Sequence, residues 1–268
     1  MRHEDLLQIC RKIKQDIRNA ISKVPLSELK SSIGMGKDGT PTKKVDWIAE
    51  EIAISTLKDY NFRIITEESG VVGDGDVFLA LDPVDGTFNA TRGIPIYSVS
   101  LCFSKSDTLK DVFFAYVSNL ATGTEYYAEG SWNYGKAFRD GERVNVSDYS
   151  EIDCNAIFYY PDREYGFKRV RIFGSAATEL CFVADGSVDC FIDIRKGNLN
   201  GREGMLRVYD VAAGLFIAVC AGARATDMHG QRLHDKRISM EERFTLVVAN
   251  SNLHNKLIKL LKSCRKVK

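Results

Sequence analysis

Asp82 and Asp85 stand in the stretch Leu81-Asp82-Pro83-Val84-Asp85-Gly86-Thr87, which follows the apolar run Val77-Phe78-Leu79-Ala80. A short apolar run emptying into a charged turn reads as a buried strand. Pro83 is expected to stop the hydrogen-bonded ladder and Gly86 to permit a tight turn, so that both carboxylates face one point. Two like charges that close invite a cation. Thr87, Asn89 and Thr91 suit the opening of a helix, whose first N–H groups, with those of Gly86 and Thr87, would cradle a phosphate. Metal carboxylates beside an anion cradle point to phosphoryl hydrolysis. Asp-Pro and Asp-Gly are also common turn dipeptides, so this spacing on its own is often only a turn.

Upstream, Phe62-Arg63-Ile64-Ile65-Thr66 is another short β-prone run, and it too ends in acids, Glu67-Glu68, before Ser69-Gly70. Two acidic strand ends around an oxygen-lined pocket suit Mg²⁺, which prefers carboxylates, carbonyls and water.

These residues need elements to position them. Leu6, Ile9, Ile13, Ile17, Ile21 and Val24 recur at helical spacing, which predicts an amphipathic helix over 5–24 stopped by Pro25. A loop over 34–41 precedes a second helix over 46–60, opened by Asp46, an acid that also answers the helix dipole. Residues 96–103, 111–117 and 125–128 read as meander strands, and 137–144 as a hairpin turning at Asp140-Gly141. Strands are expected at 156–160 and 169–173, the latter running into Gly174-Ser175-Ala176-Ala177. Small residues at a strand-to-helix join admit either a ligand or close helix–sheet packing. A strand over 188–194 leads to the basic loop 195–202, open to a second phosphate or simply solvated. Asp210 opens a buried helix over 210–222, and a strand over 244–249 and a helix over 253–261 close the chain.

With 44% hydrophobic residues, the 268-residue chain can bury a large core. It is expected to form one domain of two lobes, approximately 1–148 and 149–268. Lys and Arg total 37 against 36 Asp and Glu, so no net charge drives binding to nucleic acid or membranes, and small molecules are the expected partners. The seven cysteines are odd in number, widely spaced and never C-x-x-C, which argues for reduced thiols rather than disulfides or zinc. No apolar stretch is long enough to span a bilayer and no signal-peptide core follows Met1, so the cytoplasm is expected. His3, His229, His234 and His254 all lie outside the acid-rich motifs, leaving no Ser–His or phosphohistidine arrangement.

The chain resembles the Mg²⁺-dependent, lithium-sensitive inositol monophosphatases and the related archaeal-type fructose-1,6-bisphosphatases. The matching blocks are Asp38-Gly39-Thr40-Pro41 leading to Asp46, Thr66-Glu67-Glu68-Ser69, Asp82 to Thr87, Gly174 to Ala177, and Tyr209-Asp210-Val211-Ala212-Ala213-Gly214, in the family's order. The resemblance implies an α/β fold, a five-layer αβαβα sandwich, and usually a homodimer. It implies that Glu67, Asp82 and the carbonyl of Val84 bind one Mg²⁺, and that Asp82, Asp85 and Asp210 bind a second. A third, weaker ion near Glu67 would assist the water, and Mn²⁺ could substitute. A water oriented by Asp46 and Thr87 would attack phosphorus directly, with no phosphoenzyme. Gly86 and Thr87 would hold the phosphate, and Gly174, Ser175 and Ala176 would line the substrate pocket. Glu203 stands where a family glutamate contacts sugar hydroxyls, while Arg171, Arg195 and Lys196 suit a distal phosphate. Lys43 departs from the threonine that relatives often carry.

Inositol-1-phosphate and fructose-1,6-bisphosphate are the expected substrates, with adenosine 3′,5′-bisphosphate the alternative. A haloacid-dehalogenase-like phosphatase has one residue between its aspartates, and this chain has two. A non-catalytic metal-binding regulator would be expected to lack the water-activating pair, and both Asp46 and Thr87 are present.

Overall fold

A computed structural model describes residues 2–37, 39–197 and 203–265. Leu6, Cys10, Ile13 and Ile17 share the buried face of α1 (His3–Ile21). α1 ends short of the expected residue 24, because Pro25 does not merely stop it but caps a further turn, α2 (Leu26–Leu29). The expected loop over 34–41 is instead largely a hairpin, Ser32–Met35 pairing antiparallel with Pro41–Lys43. Its first strand is exposed throughout, so no alternation of apolar residues announces it. α3 (Lys44–Leu57) begins before Asp46, whose carboxylate accepts the Lys43 N–H from the helix's third position.

The larger sheet runs in the order Glu142–Arg143, Lys136–Arg139, Glu125–Glu129, Val112–Asn119, Ser98–Ser104, Val77–Asp85, Phe62–Thr66, Gly70–Val72. Its neighbours are antiparallel except Phe62–Thr66 and Val77–Asp85, which run parallel. That exception matters for chemistry. With Thr66 opposite Leu81, both strands end on one edge and deliver Glu67 beside Asp82. Pro83 does not end the ladder as expected: the strand continues to Asp85, with a register shift between the pairs Asp82–Ser100 and Asp85–Ser98. The irregularity accommodates a residue with no N–H to give.

Asn89 lies in the single turn α4 (Thr87–Ala90), and its side-chain amide donates to the carbonyls of Ile96 and Phe173, both at 2.6 Å. α5 (Ala176–Ala184) and α6 (Val208–Cys220) lie between the larger sheet and a second, five-stranded one. The second sheet runs Arg169–Arg171, Asn155–Phe158, Cys190–Asp193, Leu246–Ala249, Arg224–Thr226. A layer enclosed on both sides must be apolar all round, and every residue from Val211 to Ala218 is buried. α7 (Ser251–Arg265) covers the outer face of the second sheet through Leu253, Leu257 and Leu261, while α1 and α3 cover the outer face of the first. The result is the expected five-layer αβαβα sandwich. Cys10, Cys102, Cys154, Cys181, Cys190 and Cys220 are free thiols.

Candidate active site

Strand Val77–Asp85 carries Asp82 and Asp85 into the interior, where both are buried. The Val84 N–H donates to Asp82 Oδ1 at 3.0 Å, which fixes that carboxylate against its own turn. Gly86 then reverses the chain at φ +98°, and a Cβ there would lie 3.1 Å from the carbonyl oxygens of both Gly174 and Ile96. Only glycine fits this conformation without strain. Thr87 follows as the first residue of α4, its hydroxyl donating to Asp46 Oδ1 at 2.8 Å and lying 3.3 Å from the Val84 carbonyl. Asp46 is therefore both the helix-opening acid and the partner of Thr87.

Two further elements, strand Phe62–Thr66 and α6, bring the remaining acids Glu67 and Asp210. Glu67 sits in the turn after strand Phe62–Thr66, and the buried carboxylate of Glu50, from α3, grips that turn. Glu50 accepts the Thr66 hydroxyl at 2.7 Å and the N–H groups of Glu68 and Ser69 at 3.2 and 2.8 Å. The hairpin is tied to the same turn, since Thr42 donates its hydroxyl to Glu68 and the Lys37 N–H donates to the Glu68 carbonyl at 3.0 Å. Asp210 lies in the first turn of α6, where it accepts the Arg207 N–H at 2.7 Å. Asp85 accepts the Ser175 hydroxyl at 2.7 Å and the N–H groups of Ala176 and Ala177 at 3.2 and 2.8 Å.

Burial pushes the Asp82 carboxyl well above the usual range, and the neighbouring Asp85, Glu67, Asp210 and Asp46 push the same way. Burial likewise raises Asp85 to about 7, opposed by the Ser175 hydroxyl and reinforced by Asp210. It raises Asp46 to about 7 against the hydrogen bond from Thr87. Among the described residues no Lys or Arg is ion-paired to Asp46, Asp82 or Asp85. Like charges buried together without a counter-charge are costly, and an all-oxygen donor set fits a hard divalent cation. Among the described residues no three His, Cys, Asp or Glu side chains already stand as a ready-made metal group. The fit rests on donor chemistry and on Asp46, Asp82 and Asp85, which form no ion pair with Lys or Arg among the described residues.

The expected acids Asp46, Glu67, Asp85 and Asp210 thus all bear on the ionisation of Asp82, and Thr87 is hydrogen-bonded to Asp46. Gly174, Ser175 and Ala176 belong to the same site, but Ser175 and Ala176 make their contacts to Asp85. The expected substrate residues are spread wider. The Arg171 guanidinium donates to the Val170 carbonyl on an exposed edge strand. Arg195 pairs with Asp193 at 2.6 Å and lies over the rings of Tyr159 and Tyr160, lining a cavity of 450 Å³ that also includes Lys196. Glu203 pairs with His229 at 2.7 Å and lines a separate cavity of 640 Å³ with Asp227, Lys236 and Arg243. None of the five acids lines either cavity. Asp38 and residues 198–202 of the expected basic loop lie outside the described residues.

Glu50 and Glu179 escaped the reading of the sequence. Each is an acid within a buried stripe, Glu50 beside Ala49 and Ala53 and Glu179 within α5, and that placement was the available signal.

The sequence model of the inositol monophosphatase family matches residues 4–266. A fructose-1,6-bisphosphatase/inositol-1-monophosphatase from Archaeoglobus fulgidus is 58% identical over 262 residues, which are 98% of this chain and 100% of the relative. A bifunctional NADP phosphatase/NAD kinase from Methanococcus maripaludis is 32% identical over 290 residues, spanning 95% of this chain and 49% of that protein. A solved structure from Pyrococcus horikoshii, described as having similarities to inositol-1 monophosphatase, superimposes with a TM-score of 0.78 at 26% identity, covering 99% of this chain and 97% of the other.

Proposed function

Because the chain belongs to the inositol monophosphatase family, we propose that its clustered acids hold Mg²⁺ and that it hydrolyses inositol-1-phosphate and fructose-1,6-bisphosphate. The observation that carries this reading is the set of carboxylates that raise Asp82, fed from two parallel strand ends and two helix starts, with the hydrogen-bonded pair Asp46 and Thr87 beside it. Glu67, Asp82 and the Val84 carbonyl are the donors for one ion, and Asp82, Asp85 and Asp210 for a second. A third, weaker ion belongs near Glu67, and Mn²⁺ substitutes for Mg²⁺. Bound there, the cations would acidify a water molecule and stabilise the charge on the departing oxygen.

The chain's own residues do the rest. Thr87 gives its hydroxyl proton to Asp46, so its remaining lone pairs accept from a water and orient it. Asp46, raised to about 7, is matched to taking a proton near neutral pH. The N–H groups of Gly86 and Thr87 would hold the phosphate, and no side chain is needed as nucleophile. Arg171, Arg195 and Glu203 are the proposed contacts to the far end of the substrate. A homodimer belongs to the same reading, and sedimentation velocity tests it.

One observation favours a nucleotide phosphate as a second reading: Tyr160 is 70% exposed beside Arg195 in the 450 Å³ cavity, a surface on which a base could stack. Phosphate release from inositol-1-phosphate, fructose-1,6-bisphosphate and adenosine 3′,5′-bisphosphate, measured side by side with Mg²⁺, separates the two. Turnover of the first two supports the sugar-phosphate reading, turnover of the third alone replaces it, and silence on all three with Mg²⁺ bound favours a metal-binding regulator.

A further inference from the structure

Asp85 is held from outside its own strand. Its three donors, the Ser175 hydroxyl and the N–H groups of Ala176 and Ala177, all belong to the start of α5. The place of its carboxylate therefore follows the place of the turn that leads into that helix. This turn is Phe173-Gly174, with Gly174 at φ +80°, and its two successive N–H groups point to a single atom. The atom is Oε1 of Glu179, a side chain with no solvent exposure, which accepts the N–H of Phe173 and, at 3.2 Å, that of Gly174. Its other oxygen accepts the hydroxyl of Tyr159.

We propose that Glu179 is a positioning residue for Asp85: by fixing the Phe173-Gly174 turn it sets where Ser175 and the first amides of α5 present their donors, and so sets the affinity of the cation that Asp85 helps to hold. The proposal rests on the reading of Asp85 as a cation ligand. Partners that orient a ligand without touching the metal commonly change metal affinity about 10–100-fold when altered. What holds the turn is the reach of Glu179, since its charge only raises the Asp85 carboxyl further. Burial raises its carboxyl to about 7, so near neutral pH it is present in both forms, and in either one Oε1 can accept both amides.

Two substitutions separate reach from charge. Glu179→Gln keeps an oxygen at the same distance from the helix and removes the charge, and its amide can donate to Tyr159. Glu179→Asp keeps the charge and withdraws it from the turn by one methylene. Calorimetric titration of the full chain with MgCl₂ should give Glu179→Gln an affinity within about 2-fold of wild type and Glu179→Asp one about 10-fold weaker or worse. Ser175→Ala, which removes one donor while leaving the turn gripped, supplies an independent arm. Combined with Glu179→Asp it should lower affinity by less than the product of the two separate effects.

The reverse order, with Gln weak and Asp unchanged, would overturn the proposal in favour of a charge effect. Lower melting temperatures in EDTA with unchanged Mg²⁺ affinity for both variants would reduce Glu179 to a structural residue and overturn it equally. Wild-type protein that binds no Mg²⁺ would instead remove the cation reading of Asp85, a failure told apart because no variant is needed to see it.

Discussion

Thr87 has one hydroxyl proton, and the 2.8 Å contact to Asp46 uses it. That leaves the pair able to accept from a water molecule and then to take a proton from it. Asp46→Asn should therefore lower kcat by about 10²–10⁴ with KM little changed, the usual size of a general-base contribution. Steady-state kinetics on inositol-1-phosphate checks this, and an equal rise in KM would assign Asp46 to binding instead. Asp82 faces the opposite situation, since every neighbouring acid raises its carboxyl. Asp82→Asn should abolish phosphate release yet raise the melting temperature measured in EDTA, because one of several opposed buried charges is gone. A lower melting temperature would contradict that account of the cluster. Glu67, Asp82 and Asp85 were legible in the sequence, because each follows an apolar run, whereas Asp46 and Asp210 read only as helix openers until the family resemblance marked them. Glu50 and Glu179 were not legible, because their roles are defined by backbone N–H groups of turns in separate elements or at helix starts.

Two elements set the site: a strand that ends in a left-handed glycine, and a turn on the facing helix that meets it. A Cβ at Gly86 would press on two backbone carbonyl oxygens in a conformation that L residues avoid. Gly86→Ala should cost about 1–3 kcal/mol, readable as a lower urea midpoint at unchanged m-value, and should reduce activity further than stability alone explains. The strand Phe62–Thr66 was predicted to the residue, since its apolar run is closed by acids on one side and polar residues on the other. α5 was seen only as a join, because Ala-Ala-Thr-Glu carries no apolar periodicity and a helix enclosed between two sheets needs none. The 32–43 hairpin was hidden for the opposite reason: its first strand is exposed on both faces, and Gly34, Gly36 and Gly39 read as loop.

At the scale of the whole molecule, α5 and α6 are the shared middle of the sandwich, and both begin at the acids. Asp85 reaches the start of α5, and Asp210 lies in the first turn of α6. Stability and charge are thereby linked. In the unfolded chain these carboxyls ionise near the ordinary 3.8, whereas folded Asp46 and Asp85 keep their protons up to about 7. Between those values the folded state binds more protons than the unfolded one, so cation-free stability should fall as pH rises. Melting in EDTA should accordingly be several degrees higher at pH 5 than at pH 8, and saturating Mg²⁺ should raise the melting temperature most at the higher pH. A flat profile in EDTA would mean the cluster is not strained. The order of the layers came from the family resemblance, and the periodicity of the helices over 5–24, 46–60 and 210–222 agreed with it. The pairing of two strand ends side by side did not come from periodicity, since only the parallel register of Phe62–Thr66 with Val77–Asp85 places Glu67 next to Asp82.

If the acids around Asp82 are a cation site at which water is turned on a phosphate ester, turnover must follow Mg²⁺ and depend on Asp82. Phosphate release from inositol-1-phosphate as a function of Mg²⁺ concentration, for wild type and Asp82→Asn together, tests it most directly. The expected result is saturable activation by Mg²⁺, no turnover in EDTA, and a variant slower by about 10³-fold or more at any Mg²⁺ concentration. Turnover that persists in EDTA, or that survives Asp82→Asn, would contradict it.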